Sequence, residues 1–231
     1  MKRLLTIIGL LLTLLCAPSW ATVTLVQTVT GTTGGGPGNL VITISASGAG
    51  DTLIVAGCLS SSTVSDNKSS TYTVIDTGGT GRLWVADNVA SGVTAVTITN
   101  TTVPMAGLVR EYSGLKTSSL DVHTVNSTTG TNPTSGASSA TTETPELVIG
   151  VFIAGGSGTP TLGSGFANLT TVNSLSFGVA IEDMTANTIA AQTANFNMAS
   201  STYSCYVAAL KTVGGSAPAT AGSLLLLGVG K

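Results

Sequence analysis

Proton-transfer catalysis needs titrating groups held close together. In this chain of 231 residues the carboxyl groups that could serve are Asp66, Asp76, Asp87, Glu111, Glu182 and Asp183. Glu182 and Asp183 are adjacent, but neighbours on a strand point to opposite faces, so they form no dyad without a bulge. Glycoside hydrolysis would need two carboxyls roughly 5–10 Å apart across a cleft. His123 stands two residues from Asp121 in an alternating strand, the spacing of a base and its orienting carboxylate. No G-x-S-x-G elbow accompanies it, so it reads as an exposed edge-strand histidine. Glu111, at the end of a core strand, reads as a buried anchoring carboxylate with Arg82 or Lys211 as its mate.

Ligand chemistry offers three further places. One histidine and separated cysteines cannot close a zinc site. Calcium is the better metal expectation, because Asp66 and Asn67, with Ser65 and Ser69 beside them, offer oxygen ligands on a loop. For sugars, Trp84, Tyr72 and Asp87 are the candidates, although Trp84 lies in an apolar strand where core packing competes with stacking. Gly34 to Gly38 precedes a strand rather than a helix and lacks a following Lys-Ser or Lys-Thr, so it is no phosphate loop.

The elements that must position these groups are strands. Leu40, Ile42 and Ile44 alternate with Val41, Thr43 and Ser45, and Val96 and Ile98 alternate with Thr97 and Thr99. Such alternation describes half-buried antiparallel strands. Leu53 to Cys58 and Leu147 to Ala154 are apolar on both faces and read as central strands. Gly, Asn, Asp and Ser clusters punctuate them as turns.

The chain from Thr52 to Gly114 returns, blurred, from Glu146 to Lys211, at an offset of about 95 residues. Leu53-Ile54-Val55-Ala56-Gly57 matches Leu147-Val148-Ile149-Gly150-Val151, and Asp87 matches Glu182. Residues 1–21 read as a signal peptide: Lys2 and Arg3, the apolar run Leu4 to Leu15, and Ser19-Trp20-Ala21 before cleavage. That run is too short for a hydrocarbon core of about 30 Å, so no transmembrane segment is expected in the mature chain. Residues 22–212 form one β-sandwich domain, with halves at about 22–115 and 120–212, and 213–231 form a flexible tail ending in the apolar patch Leu224 to Val229.

The mature chain has six Lys and Arg against ten Asp and Glu, too few cations to neutralise a phosphate backbone, so a nucleic-acid partner is excluded. Its two cysteines, Cys58 and Cys205, permit one disulfide in an exported protein or two buried thiols. At Glu111-Tyr112-Ser113-Gly114-Leu115, followed by Leu120-Asp121-Val122, the chain resembles a poorly characterised module of secreted bacterial proteins, also met in phage and environmental sequences. Val64-Ser65-Asp66-Asn67 and Leu83 to Gly92 carry the same resemblance, which covers roughly Leu40 to Lys211. It implies an extracellular β-sandwich of adhesive or carbohydrate-binding type, with no catalytic residues to transfer. Ser204-Cys205 stands where that module usually shows a Trp.

The sequence reading is an exported, all-β antiparallel sandwich of jelly-roll type, secreted, on the cell surface or periplasmic. Its expected work is non-catalytic: binding glycans or assembling with copies of itself. An exported hydrolase with an acidic cleft and a virion-type jelly-roll protein are the alternatives.

Overall fold

The structure is a computed structural model describing residues 22–34, 38–100, 104–156 and 158–217; the expected leader and Leu224 to Val229 lie outside these. The fold is all-β and antiparallel. The first half supplies β1 (Thr24–Thr32), β2 (Leu40–Thr43), β3 (Thr52–Cys58), β4 (Thr63–Asp66), β5 (Thr73–Thr77), β6 (Gly81–Ala86), β7 (Ala95–Thr99) and β8 (Ala106–Ser113). The second supplies β9 (Leu115–Gly130), β10 (Thr144–Gly155), β11 (Ala167–Asn173), β12 (Phe177–Ala186) and β13 (Ser201–Ser216).

Two five-stranded sheets form the centre, ordered β1-β8-β3-β6-β5 and β9-β13-β10-β12-β11. Counting only the strands each half gives to its sheet, both follow the order 1-5-2-4-3. The repeat is therefore a repeat of topology. The two sheets stack on one another, β3 against β10 and β12, β8 against β11 and β12. A three-stranded sheet, β2-β7-β4, covers the outer face of the first. A Cβ built on Gly57 or Gly107 would strike Ile98 of β7, which marks that face. Over the second sheet the covering layer is looser, tied by the bridges Thr134–Asn195, Ala140–Ala191 and Thr161–Asn197.

This layering explains the doubly apolar strands. Every residue of β3 is buried, as are Glu146 to Ala154 of β10, because each central strand has a sheet on one side and a cover on the other. The main core runs through both halves, from Leu40 and Ile42 to Tyr206 and Leu210. A second core, with Phe152, Phe196 and Tyr203, fills the space under the outer loops of the second half.

The register corrects the sequence alignment by one residue. Leu53 shares its face with Gly57, toward the small sheet, whereas Leu147 shares its face with Ile153, toward the first sheet. A one-residue slip turns every side chain over. A spacing of 95, from Asp51 to Glu146, restores the faces and sets Val55 on Gly150. Val55 pairs with Trp84 and Gly150 with Glu182. Glu182 thus occupies the place of Trp84, not of Asp87.

Residues 213–216 also differ from expectation. They continue β13 rather than open a tail, held in part by Val213 N–H donating to the Gly114 carbonyl at 2.9 Å.

The two halves interlock where the turn between β5 and β6 meets the second sheet. Tyr206 donates to the Gly81 carbonyl at 2.6 Å and Thr80 to the Ile153 carbonyl at 2.6 Å. A Cβ on Gly81 would sit 2.5 Å from Ile153 Cδ1 and 2.6 Å from the Gly57 carbonyl oxygen. Gly81→Ala is expected to cost about 1–3 kcal/mol through overpacking. A shift of the urea midpoint checks this, and an unchanged midpoint would mean the sheets can separate freely.

Candidate functional site

Trp84 is 2% exposed and faces the small sheet, so it offers no platform to a sugar. Tyr72 is half-buried and donates to Asp66 Oδ2 at 3.0 Å. Asp87 accepts from Thr52 at 3.2 Å and from the Ser119 hydroxyl at 2.7 Å, tying the end of β6 to β9. These three do not converge on one surface. They serve a core, a loop and a junction.

Asp66 caps its own turn, accepting from Lys68 N–H at 2.8 Å and Ser70 N–H at 3.1 Å. Burial pushes its carboxyl up, but the bonds from Ser70, Lys68 and Tyr72 outweigh it and hold the group below its usual range. Asn67 accepts from Thr94 N–H at 2.9 Å and donates to Thr94 Oγ1 at 3.1 Å. The expected calcium loop is thus occupied with stapling β4 to β7. Among the described residues, no three His, Cys, Asp or Glu side chains cluster as metal ligands.

Cys58 and Cys205 are free thiols, each buried. Cys58 lies in the main core between the two central sheets and Cys205 in the second core, on the far side of the second sheet, and the permitted disulfide is not formed. Burial raises both thiols, Cys205 more strongly.

His123 turns away from Asp121. Its Nδ1 lies 3.1 Å from Asp76 Oδ2, linking β9 to β5 across the two central sheets. Asp121 accepts instead from Thr142 N–H and Oγ1, both at 2.6 Å, and pairs with Lys211 at 3.1 Å. The expected mates of Glu111 are engaged elsewhere, Arg82 with Thr77 and Ser62, Lys211 with Asp121. Glu111 accepts from Gly48 N–H at 2.8 Å and from Gln27 Nε2.

The carboxyl chemistry that the structure does assemble is buried. Asp51 shares a side-chain hydrogen bond with Glu111, and burial, that bond and the Glu111 charge push Asp51 up to about 6. Glu146 is fully buried, with the Glu143 N–H as a weak donor beside its carboxyl. It lies against Asp121, a contact that requires a proton on one partner, and burial followed by that contact pushes Glu146 up to about 8. Glu182 accepts from Gly163 N–H at 2.9 Å through Oε2, while Oε1 has no partner. Burial pushes it up to about 7. Asp51 and Glu146 belong to no motif. Their signal was the repeat itself: each precedes a doubly apolar strand, 95 residues apart.

Between the two sheets lies a buried ion pair. Arg110 donates to Asp183 Oδ2 at 2.7 Å, as does Tyr112 at 2.7 Å, and Asn168 donates to Asp183 Oδ1 at 2.8 Å. Arg110 also reaches the carbonyls of Asn168 and Ile181. This group clamps sheet to sheet. It has no path for a substrate, since Arg110 is 0% exposed.

The surface differs between flanks. The edges of the three sheets on one side are β2, β1 and β11, and β1 packs against both others. None of these strands carries a charged residue. Val26 and Val41 stand out there at 49% and 56% exposure. The opposite edges are β4, β5 and β9, which carry Asp66, Asp76, Lys116, Asp121 and His123.

No family model matches the chain, and neither a curated protein nor a solved structure matches it.

Proposed function

We propose that this protein is an exported, non-catalytic structural or adhesive module that assembles with copies of itself, edge to edge. The uncharged flank carries the reading. An exposed sheet edge presents unpaired N–H and C=O groups, and natural proteins commonly blunt such edges with charge, Lys above all. Here one flank is blunted in that way and the other is not. Two copies meeting at β1 would extend the five-stranded sheet across a twofold axis, strand antiparallel to strand. The charged flank would stop growth at a dimer. The bulge between Leu25 and Gln27 leaves Gln27 to Thr32 in unbroken register, long enough to pair.

The glycan alternative has less support, since its stacking residue Trp84 is in the core. The hydrolase alternative rests on carboxyls of which Glu111 and Glu182 are 0% exposed.

Sedimentation equilibrium tests the reading. A dimer is expected in the high-micromolar range, and Thr30→Lys with Val41→Lys should return the chain to a monomer at the same concentration. A strict monomer at millimolar concentration, or a dimer indifferent to both lysines, would remove this mode of assembly.

A further inference from the structure

Three neighbouring strands of the second sheet bring one lysine and two carboxyls together. Glu146 of β10 stands directly opposite Lys211 of β13 in the antiparallel pairing, so the two share a face. Ala209 and Cys205 of β13 lie on that face, beneath the outer loops of the second half. Asp121 reaches the same place from β9 through a bulge. Leu210 pairs with Leu120 and Ala209 with Val122, which leaves Asp121 as the extra residue. A bulge re-aims a side chain, and this one turns Asp121 toward Lys211. Lys211 Nζ lies 3.1 Å from Asp121 Oδ1, and the Asp121 side chain is only 3% exposed. Thr142 donates its N–H to Asp121 Oδ2 and its hydroxyl to Oδ1, both at 2.6 Å. The cover holds Thr142 in place, since the Thr141 N–H donates to the Ala190 carbonyl at 3.1 Å. Glu146 shares a hydrogen bond with Asp121, and burial keeps the proton on Glu146.

An ion pair alone needs no second carboxyl buried beside it, and such burial costs stability. Amide formation does need one, because the amine must lose a proton and a carboxyl oxygen must gain one. We propose that the Lys211 amine and the Asp121 carboxyl condense to an intramolecular amide, with Glu146 moving the protons. Glu146 gives its proton to the Asp121 carboxylate and takes one from the Lys211 ammonium, which leaves a neutral amine beside a neutral acid. Nζ then attacks Asp121 Cγ. The Thr142 N–H and hydroxyl stabilise the oxyanion that develops. A proton passes from the new C–N nitrogen through Glu146 to the Asp121 hydroxyl, the C–O bond breaks, and water leaves. Ammonium and carboxylate become amide and water, nothing is oxidised or reduced, and Glu146 ends protonated as it began. Holding the two groups in contact supplies the drive, since effective molarities of well-oriented intramolecular reactions reach about 10⁵–10⁸ M. Condensation removes both groups from titration, so an Asp121 contribution to acid stability is a property of the uncondensed chain. β9 is the edge strand of its sheet, held by β13 alone, so the bond secures the strand most open to peeling. The inference does not depend on edge pairing between copies.

Intact-mass spectrometry of the purified full chain, denatured, tests this. The chain is expected to be lighter by one water than the residues it contains. Trypsin needs a free lysine amine, so the Lys211–Thr212 bond of the denatured chain should resist it, and tandem fragmentation should show Asp121 and Lys211 joined. Lys211→Arg keeps the charge but presents no ammonium to deprotonate and attack. Glu146→Gln keeps the bulk but holds no carboxyl proton to transfer. Both variants should keep their full sequence mass while giving the circular dichroism of the parent. Should either fail to fold, the mapped join in the parent decides alone. A parent chain of full sequence mass would overturn the inference. So would a water loss that persists in Lys211→Arg, or a join that maps instead to the neighbouring pair of Lys116 and Glu143. The Thr30→Lys, Val41→Lys chain should lose the same water as the parent, so this inference and edge pairing fail separately.

Discussion

Arg110→Met is expected to lower stability by about 3–5 kcal/mol. The substitution keeps bulk but leaves Asp183 with a buried charge and only Tyr112 and Asn168 as donors. Removing one partner of a buried pair costs this much because the survivor has already lost its water. For a chain of this size the shift in melting temperature is about 2–4 °C per kcal/mol, so the loss amounts to about 10 °C. Asp183→Asn tests the other side, leaving Arg110 uncompensated and equally costly. Replacing both together, Arg110→Met with Asp183→Leu, should recover most of the loss, since a well-packed apolar pair often matches a buried salt bridge. Thermal unfolding of the three variants decides it. A double variant as unstable as the sum of the singles would show that Arg110 and Asp183 are not energetically coupled, and would overturn this account.

Stability is expected to fall as pH rises from about 4 to above 8, the reverse of the usual behaviour of carboxylates. Asp51 at about 6, Glu182 at about 7 and Glu146 at about 8 all stand above the value near 4 of an unfolded carboxyl. Between the two values the folded chain holds protons that the unfolded chain has released, so each added pH unit favours unfolding. The stability is fully present below pH 4 and lost as each folded value is passed. Asp66 and Asp121, whose carboxyls are lowered, act in the opposite sense, contributing above pH 4 and failing in acid. The optimum therefore falls near pH 4–5. Glu182 and Glu146, both fully buried, dominate the alkaline loss, on the order of a few kcal/mol in all, and the partly exposed Asp51 adds little. Urea midpoints at pH 5 and pH 8.5 measure the slope. Glu182→Gln and Glu146→Gln should flatten it, and a midpoint that rises with pH would overturn the account.

How much of this was legible in the chain depended on the length scale. Alternation of Thr with Val and Ile is written residue by residue, so the strands and their faces could be read. The doubly apolar runs at Leu53 and Leu147 announced central strands because burial on both faces demands it. The blurred repeat announced a duplicated unit, but it was misaligned by one residue. Apolar identity on a doubly buried strand carries no face information, and only the partners Trp84 and Glu182 supply it. The candidate sites fared differently. Trp84 and Asp66 were recognised by type, yet type does not say whether a tryptophan points into a core or whether an aspartate's lone pairs are already spent on its own turn. The cross-sheet partners, Arg110 with Asp183 and His123 with Asp76, join residues 73 and 47 positions apart. Local spacing does not reveal them.

The shared 1-5-2-4-3 order has a consequence for symmetry. A single such unit would leave the inner face of its five-stranded sheet uncovered, and here each unit supplies that cover to the other. Two identical subunits stacked in this way would have to make every contact twice or not at all. Within one chain the two faces are free to differ. One carries Arg110 and the other Asp183, a pairing made once. One has a three-stranded cover and the other a layer tied by bridges, and Trp84 stands in one where Glu182 stands in the other. The covalent link makes what would be an interface between equals into an interior whose two sides specialise.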